Sequence, residues 1–209
     1  LKLRRIFLKI NSALLSKELL EFDKAYGISR IAGIDEAGRG PLAGPVTAAC
    51  VIMPLDSAIP YVNDSKKLSE KRREMLFEEI IKNALYVDIC SIPPETIDEI
   101  NILNATRLAM ENAANKCSAE LFLVDYIDGL KLPGKIEAIV KGDAKSYNIA
   151  CAGIVAKVSR DRYMRDIDKL YPEYGFARHK GYGTKVHIEA IKKYGPSPIH
   201  RRSFITKFT

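Results

Sequence analysis

Four acidic residues stand where an apolar run gives way to a turn. Asp35 and Glu36 follow Ile31-Ala32-Gly33-Ile34 and lead into Ala37-Gly38-Arg39-Gly40-Pro41-Leu42-Ala43-Gly44-Pro45. Asp125 ends Leu121-Phe122-Leu123-Val124, and Asp143 follows the run from Ile136 to Val140 through Lys141-Gly142. If the three runs are neighbouring strands, the four carboxylates converge with a formal charge of about −4, which two divalent cations about 3.5–4 Å apart would neutralise. Hard oxygen donors favour magnesium or manganese over zinc. The chemistry such a centre performs is phosphodiester hydrolysis, with no histidine or serine nucleophile required. A glycine-rich turn beside it bares backbone N–H groups for a phosphate or a sugar. Each part has a plainer reading. Acids end strands to reach water, glycines tolerate turns, Asp125 suits a turn, and an Asp before a helix is often only its N-cap. Those readings do not account for the whole string from Gly33 to Pro45.

The elements that must hold these residues are legible in outline. Short apolar runs bounded by Gly, Pro, Asn or Asp predict five strands, at Ile31–Ile34, Val46–Met53, Leu85–Ile92, Leu121–Val124 and Ile136–Val140. Helical spacing predicts helices near Ser12–Ala25, from Ser69 to Ala84 with Ser69 as N-cap, at Asn104–Cys117, from about Lys145 to Leu170, and from Thr184 to Tyr194. Strands that follow one another early and alternate with helices later imply a mixed α/β sheet covered by helices. No repeat, low-complexity stretch or linker divides the chain. We therefore expect residues 1–28 to form an amino-terminal helical extension and residues 29–209 one catalytic domain with a small basic helical carboxy-terminal part.

With 209 residues, 47% hydrophobic and 28% charged, the composition is that of a globular protein with one sizeable core. No apolar run approaches the roughly 20 residues needed to span a bilayer. The expectation is a cytoplasmic monomer that does not enter membranes. Cys50, Cys90, Cys117 and Cys151 form no close pair, so four reduced, buried thiols are expected rather than a zinc or redox site. The net charge of +7 is uneven. After Phe176, Arg178, Lys180, Lys185, Lys192, Lys193, Arg201, Arg202 and Lys207 face one acid, Glu189, with Tyr182, Tyr194 and Phe204 interleaved. Such a patch suits a polyanion, although a basic tail is equally often a solvated surface.

The string Gly33–Pro45, Asn63-Asp64-Ser65-Lys66-Lys67-Leu68-Ser69, Lys141-Gly142-Asp143, Ala156-Lys157-Val158 with Arg160-Asp161, and His179-Lys180-Gly181-Tyr182 resemble, in order, the signature blocks of ribonuclease HII. The resemblance runs from about Leu19 to Phe204. It implies an RNase H-like five-stranded mixed sheet flanked by helices, with a small helical carboxy-terminal part. It further implies an endonuclease for the RNA strand of RNA/DNA hybrids and for ribonucleotides embedded in DNA, leaving a 5′-phosphate and a 3′-hydroxyl. Carried over by position, Asp35, Glu36, Asp125 and Asp143 would be the catalytic, metal-binding acids for two Mg2+ or Mn2+ ions. Gly38, Arg39 and Gly40 would read the ribose 2′-hydroxyl, Lys66 would contact phosphate, and Tyr182 would pack on the sugar at the RNA-to-DNA junction.

One position departs from the family pattern. The third acid is typically followed by glycine, whereas the chain reads Val124-Asp125-Tyr126-Ile127-Asp128-Gly129, so Asp128-Gly129 repeats the pattern three residues late. Asp125 is preferred because it directly ends the strand and its spacing to Asp143 fits the family. The histidines His179, His187 and His200 are expected in structural or phosphate-contacting roles. Two rival readings are a ribonuclease HIII-like enzyme, which usually carries an extra amino-terminal domain and lacks the tyrosine, and a non-catalytic nucleic-acid-binding protein of the same fold.

Overall fold

The computed structural model describes residues 14–56 and 58–208. Helix α1 covers residues 14–24 of these, and the expected start at Ser12 lies outside the described residues. The strands are β1 (Ile31–Ala37), β2 (Val46–Ile52), β3 (Tyr86–Ile92), β4 (Leu121–Asp125) and β5 (Lys135–Ile139). Between and after them lie α2 (Glu70–Asn83), α3 (Pro94–Ala114), α4 (Tyr147–Leu170), α5 (Phe176–His179), α6 (Lys185–Tyr194) and α7 (Arg202–Ile205). All five expected strands form. The sheet order is β3-β2-β1-β4-β5, antiparallel from β3 to β1 and parallel from β1 to β5.

Strand alternation explains the two apolar faces. Ala32, Ile34, Phe122 and Val124 point towards α3, whereas Ile31, Leu121 and Leu123 sit on the other side with Ile149 of α4. Gly33 belongs to this second face. A Cβ there would lie 2.0 Å from the Asn148 carbonyl carbon, so only glycine lets β1 touch the first turn of α4 backbone to backbone. Asn148 is itself tied on both sides: its backbone N and Nδ2 donate to Asp23 of α1 at 2.9 and 2.8 Å, and its Oδ1 accepts from Met53 N at 2.7 Å. Leu19 and Leu20 of α1 are buried in the cluster that α4 shares with β2. Burial of each such side chain stabilises the fold by about 1.5–3 kcal/mol.

The caps explain where the expected boundaries held and where they moved. Ser69 accepts from Arg72 N and Thr184 from His187 N, as their positions before α2 and α6 required. The N-cap of α4 is Ser146, which accepts from Ile149 N, so Asp143 is not spent on capping. Helix α3 begins ten residues before the expected Asn104, because Pro94 starts a helix without loss at its first position. It breaks at Asn101 (φ 66°), whose Oδ1 accepts from Leu103 N and Asn104 N and so caps a second helical stretch, the part that the spacing revealed. Beyond α4, Tyr174, Phe176, Ala190, Ile191, Ile199 and Ile205 build a small separate core that also takes in Ala43 and Met164. Cys50, Cys117 and Cys151 are buried, but Cys90 is only half-buried on the edge strand β3.

Candidate active site

The parallel pairing of β1 with β4 matches Ile34 to Val124, so Asp35 and Asp125 leave the ends of adjacent strands side by side and on the α4 face. Asp143 reaches the same place from a short 3-10 turn, Gly142–Ala144, and Gly142 N donates to Asp125 Oδ1 at 2.7 Å. One carboxylate oxygen from each of Asp35, Asp125 and Asp143 lies within 4.8 Å of the other two. Helix α4 leaves room for this cluster only because residue 153 is glycine, since a Cβ there would stand 2.3 Å from Asp35 Oδ2.

Burial raises the Asp35 carboxyl well above its ordinary range, and the charges of Glu36 and Asp125 push it further. Asp143 is raised by burial and then by Asp64 and Asp125. Crowded, desolvated carboxylates of this kind are a cost that a bound cation would offset. The donor set is three hard oxygens with no histidine or cysteine among them, which fits an ion of the magnesium or manganese class.

Glu36 stands beside this cluster rather than in it. Strand alternation turns it away from Asp35, and its Oε1 is 3.6 Å from Arg39 Nη1. Asp128 lies outside: its side chain is exposed and Arg107 Nη2 donates to its Oδ1 at 2.8 Å. Next to the acids opens a cleft of about 250 Å³ lined by Glu36, Gly38, Arg39, Gly40, Lys66 and Tyr182, which brings the five residues expected to contact substrate into one place beside Glu36. The Lys66 ammonium is 3.8 Å from Asp143 Oδ2 and links cleft to cluster. Tyr182 is 44% exposed, and its ring edge faces the open side of Gly40.

Several residues that shape the site appear in the sequence only as members of a motif or of the basic tail, with no site role of their own. Lys157 lines the cleft, with its Nζ 5.8 Å from the centre of the Tyr182 ring and 2.7 Å from Asp161 Oδ1. Asp64 faces Asp143 and also accepts from Lys66 N at 2.9 Å, so the Asp64-Ser65-Lys66-Lys67 turn is built by one of its own acids. Two arginines hold the glycine-rich loop from beneath. Arg160 donates to the carbonyls of Pro45, Lys180 and Ala43, and Arg201 to those of Gly44, Arg39 and Gly38. Burial, and then Arg160 nearby, lower the Arg201 guanidinium to about 9.

The basic tail is therefore only partly a surface. Arg201 and Lys180 are buried, while Arg178, Lys185, Lys192, Lys193, Arg202 and Lys207 are exposed. The three histidines are buried together, and burial holds both His187 and His200 at about 4, which leaves them neutral at ordinary pH. No helix among the described residues is long and apolar enough to cross a membrane.

Comparison with known proteins agrees with this architecture. A ribonuclease HII of Caldanaerobacter subterraneus is 58% identical over 183 residues, covering 87% of this chain and 76% of that protein. One from Caldicellulosiruptor bescii is 56% identical, covering 86% and 88%. Among solved structures, the ribonuclease H2 of Pyrococcus horikoshii OT3 superposes with a TM-score of 0.70 at 29% identity, covering 86% of this chain and 96% of that one. The PCNA:RNase HII complex from Archaeoglobus fulgidus gives 0.72 at 26%, covering 85% and 96%. An RNase HIII solved with Mn2+ shares the fold at 16% identity and a TM-score of 0.62, covering 94% and 72%. The family model described as Ribonuclease HII matches residues 32–207, and with these relatives it places the chain in the ribonuclease HII family of enzymes.

Proposed function

We propose that this enzyme hydrolyses the RNA strand of RNA/DNA hybrids and cuts on the 5′ side of ribonucleotides embedded in duplex DNA, leaving 5′-phosphate and 3′-hydroxyl ends. The observation that carries this reading is the cluster of Asp35, Asp125 and Asp143 opening into a cleft that has a glycine-rich turn on one side and a tyrosine on the other. Asp35, Asp125 and Asp143 would hold two divalent cations, with Glu36 completing the set. When bound, the cations supply an acidified water and charge stabilisation at the departing 3′-oxygen. Gly38, Arg39 and Gly40 present backbone groups to the ribose 2′-hydroxyl, the group that distinguishes RNA from DNA. Lys66 and Lys157 set positive charge where the scissile strand enters. Residues 29–209 form the catalytic domain in this reading, and residues 1–28 its extension.

The direct test is a duplex carrying one ribonucleotide, incubated with and without magnesium or manganese, with the cut mapped. Binding without cleavage in either metal would favour a non-catalytic reader of nucleic acid.

Two substitutions sharpen the assignment. Asp125→Asn keeps an oxygen for Gly142 N but removes a charge from the cluster, so cleavage in magnesium should be largely lost. Asp128→Asn gives up only an exposed ion pair, worth about 0–1 kcal/mol, and should stay within several-fold of wild type. The opposite ranking would move the third ligand three residues along the chain.

Tyr182→Ala tests the sugar. A tyrosine face packs on deoxyribose better than on a sugar whose 2′-hydroxyl intrudes. The variant should lose about 1–3 kcal/mol of transition-state binding at single ribonucleotides, as for loss of one stacked ring, and less on uniform hybrids. Equal losses on both substrates would make Tyr182 a support for the loop and not a reader of the junction.

A further inference from the structure

The adjacent residues His200 and Arg201 are both fully buried, and they reach the two opposite walls of the cleft. Arg201 donates to the Gly38, Arg39 and Gly44 carbonyls at 2.6, 3.0 and 2.9 Å, which fastens the glycine-rich wall. His200 reaches the tyrosine wall through a second histidine. Its Nδ1 accepts from the backbone N–H of Ser197 at 2.9 Å, so its proton is on Nε2. That Nε2 lies 3.0 Å from His187 Nε2, and His187 Nδ1 lies 2.9 Å from the Tyr182 carbonyl oxygen. A carbonyl only accepts, so His187 is protonated on Nδ1 and receives at Nε2. The chain of donation is thus fixed in one direction: Ser197 to His200, His200 to His187, His187 to Tyr182. His179 steadies it, stacked on His187 at 4.5 Å with its own backbone O accepting from Tyr182 N at 2.9 Å.

We infer that His200 and Arg201 act together as a positioning brace, fixing the separation between the Gly38–Gly40 turn and the Tyr182 ring and thereby the enzyme's selection between ribose and deoxyribose at the cut. This rests on the reading of the cleft given above. An imidazole pair serves better than two aliphatic residues because it transmits direction. Each ring has one donor and one acceptor, and only one arrangement of the protons satisfies both ends. The brace also explains why Arg201 stays buried with no carboxylate in ion-pair contact among the described residues: its charge is spread over three loop carbonyls that need donors.

Two near-isosteric changes at one position separate positioning from mere support. The amide of His200→Gln can still donate to His187 from the Nε2 position but gives up the bond from Ser197 N. His200→Asn can still accept from Ser197 N but cannot reach His187. His200→Gln gives up both Nδ1 contacts with Ser197, to its N at 2.9 Å and its Oγ at 2.8 Å, and His200→Asn only the one to His187, so a purely structural role would lower the melting temperature of His200→Gln at least as much and leave substrate preference untouched.

The readout is the ratio of cleavage at a single embedded ribonucleotide to cleavage of a uniform hybrid, in the same metal. We expect His200→Asn to lower this ratio about 2- to 10-fold, the worth of one hydrogen bond, and His200→Gln to keep it near wild type. Equal ratios in the two variants, where Tyr182→Ala itself shifts the ratio, would overturn the brace.

Tyr182→Ala is run beside them. If it leaves the ratio unmoved, the sugar-reading role of Tyr182 fails, and the brace is judged by hydrogen exchange at Thr184 N–H, which is bonded to the Tyr182 carbonyl at 2.8 Å. Faster exchange in His200→Asn than in His200→Gln would uphold it, and equal exchange would overturn it.

Discussion

Asp35→Asn should lower cleavage in magnesium by about 10²–10³-fold, the loss of several kcal/mol of charge stabilisation, and yet melt at a higher temperature than wild type in chelator. The two effects have one cause. Asp35 is buried against Glu36 and Asp125 and binds its proton at higher pH in the folded chain than in the unfolded one. Stability of the metal-free protein therefore falls as pH rises from the unfolded value of about 3.8 through the raised folded one, and the penalty is complete only above the latter. An amide removes the penalty. Its oxygen can still accept from Glu36 N, as Asp35 Oδ1 does at 2.7 Å, and its NH2 can donate to the neighbouring carboxylates. Saturating magnesium should reverse the order of melting temperatures, because only the wild-type cluster gains the full binding energy. Near-wild-type turnover of the variant would end the assignment of Asp35 as a metal ligand. A lower melting temperature in chelator would end the claim that the acids repel.

Much of this site could be read before any fold was known, and the reason is that strands advertise themselves. Short apolar runs bounded by turn residues located β1, β4 and β5, and carboxylates at their carboxyl ends had to cluster once β1, β4 and β5 paired in parallel. Glu36 shows the limit of that logic. A strand sends neighbours to opposite faces, so Glu36 lies beside the three-aspartate group, with its Oε1 3.6 Å from Arg39 Nη1, and adjacency to Asp35 in sequence does not by itself give its place. Arg201 shows another. A base in a basic tail reads as solvated, and nothing local says that its partners are carbonyls about 160 residues earlier. The same holds for His187 and His200, whose bond joins the start of α6 to the residue before Arg201. The early turns of α3 were missed for a different reason, since a proline pair marks a break as readily as a first helical turn.

Gly153 carries the most instructive case, because the local rule and the tertiary one oppose each other. A glycine inside a buried 24-residue helix is about 1 kcal/mol less favourable than alanine. Gly153→Ala would on that ground stabilise the protein. The methyl group would instead stand 2.3 Å from Asp35 Oδ2, closer than real Cβ contacts, and what must yield is the short side chain of Asp35 itself. The backbone of Asp35 is held by β1 pairing with β2 and β4, so either the carboxylate leaves the cluster or α4 moves off the sheet. We expect cleavage to drop by at least about 10²-fold, as for a catalytic group misplaced by 1 Å, together with a lower melting temperature. A double-mutant cycle isolates the clash. In an Asp35→Ala background the offending oxygen is gone, and Gly153→Ala should then recover the stabilisation that helix propensity alone promises. The coupling between the two positions should reach about 1–3 kcal/mol. If Gly153→Ala destabilised both backgrounds equally, its tightness would lie elsewhere along α4, and the carboxylate would not be what keeps this position glycine.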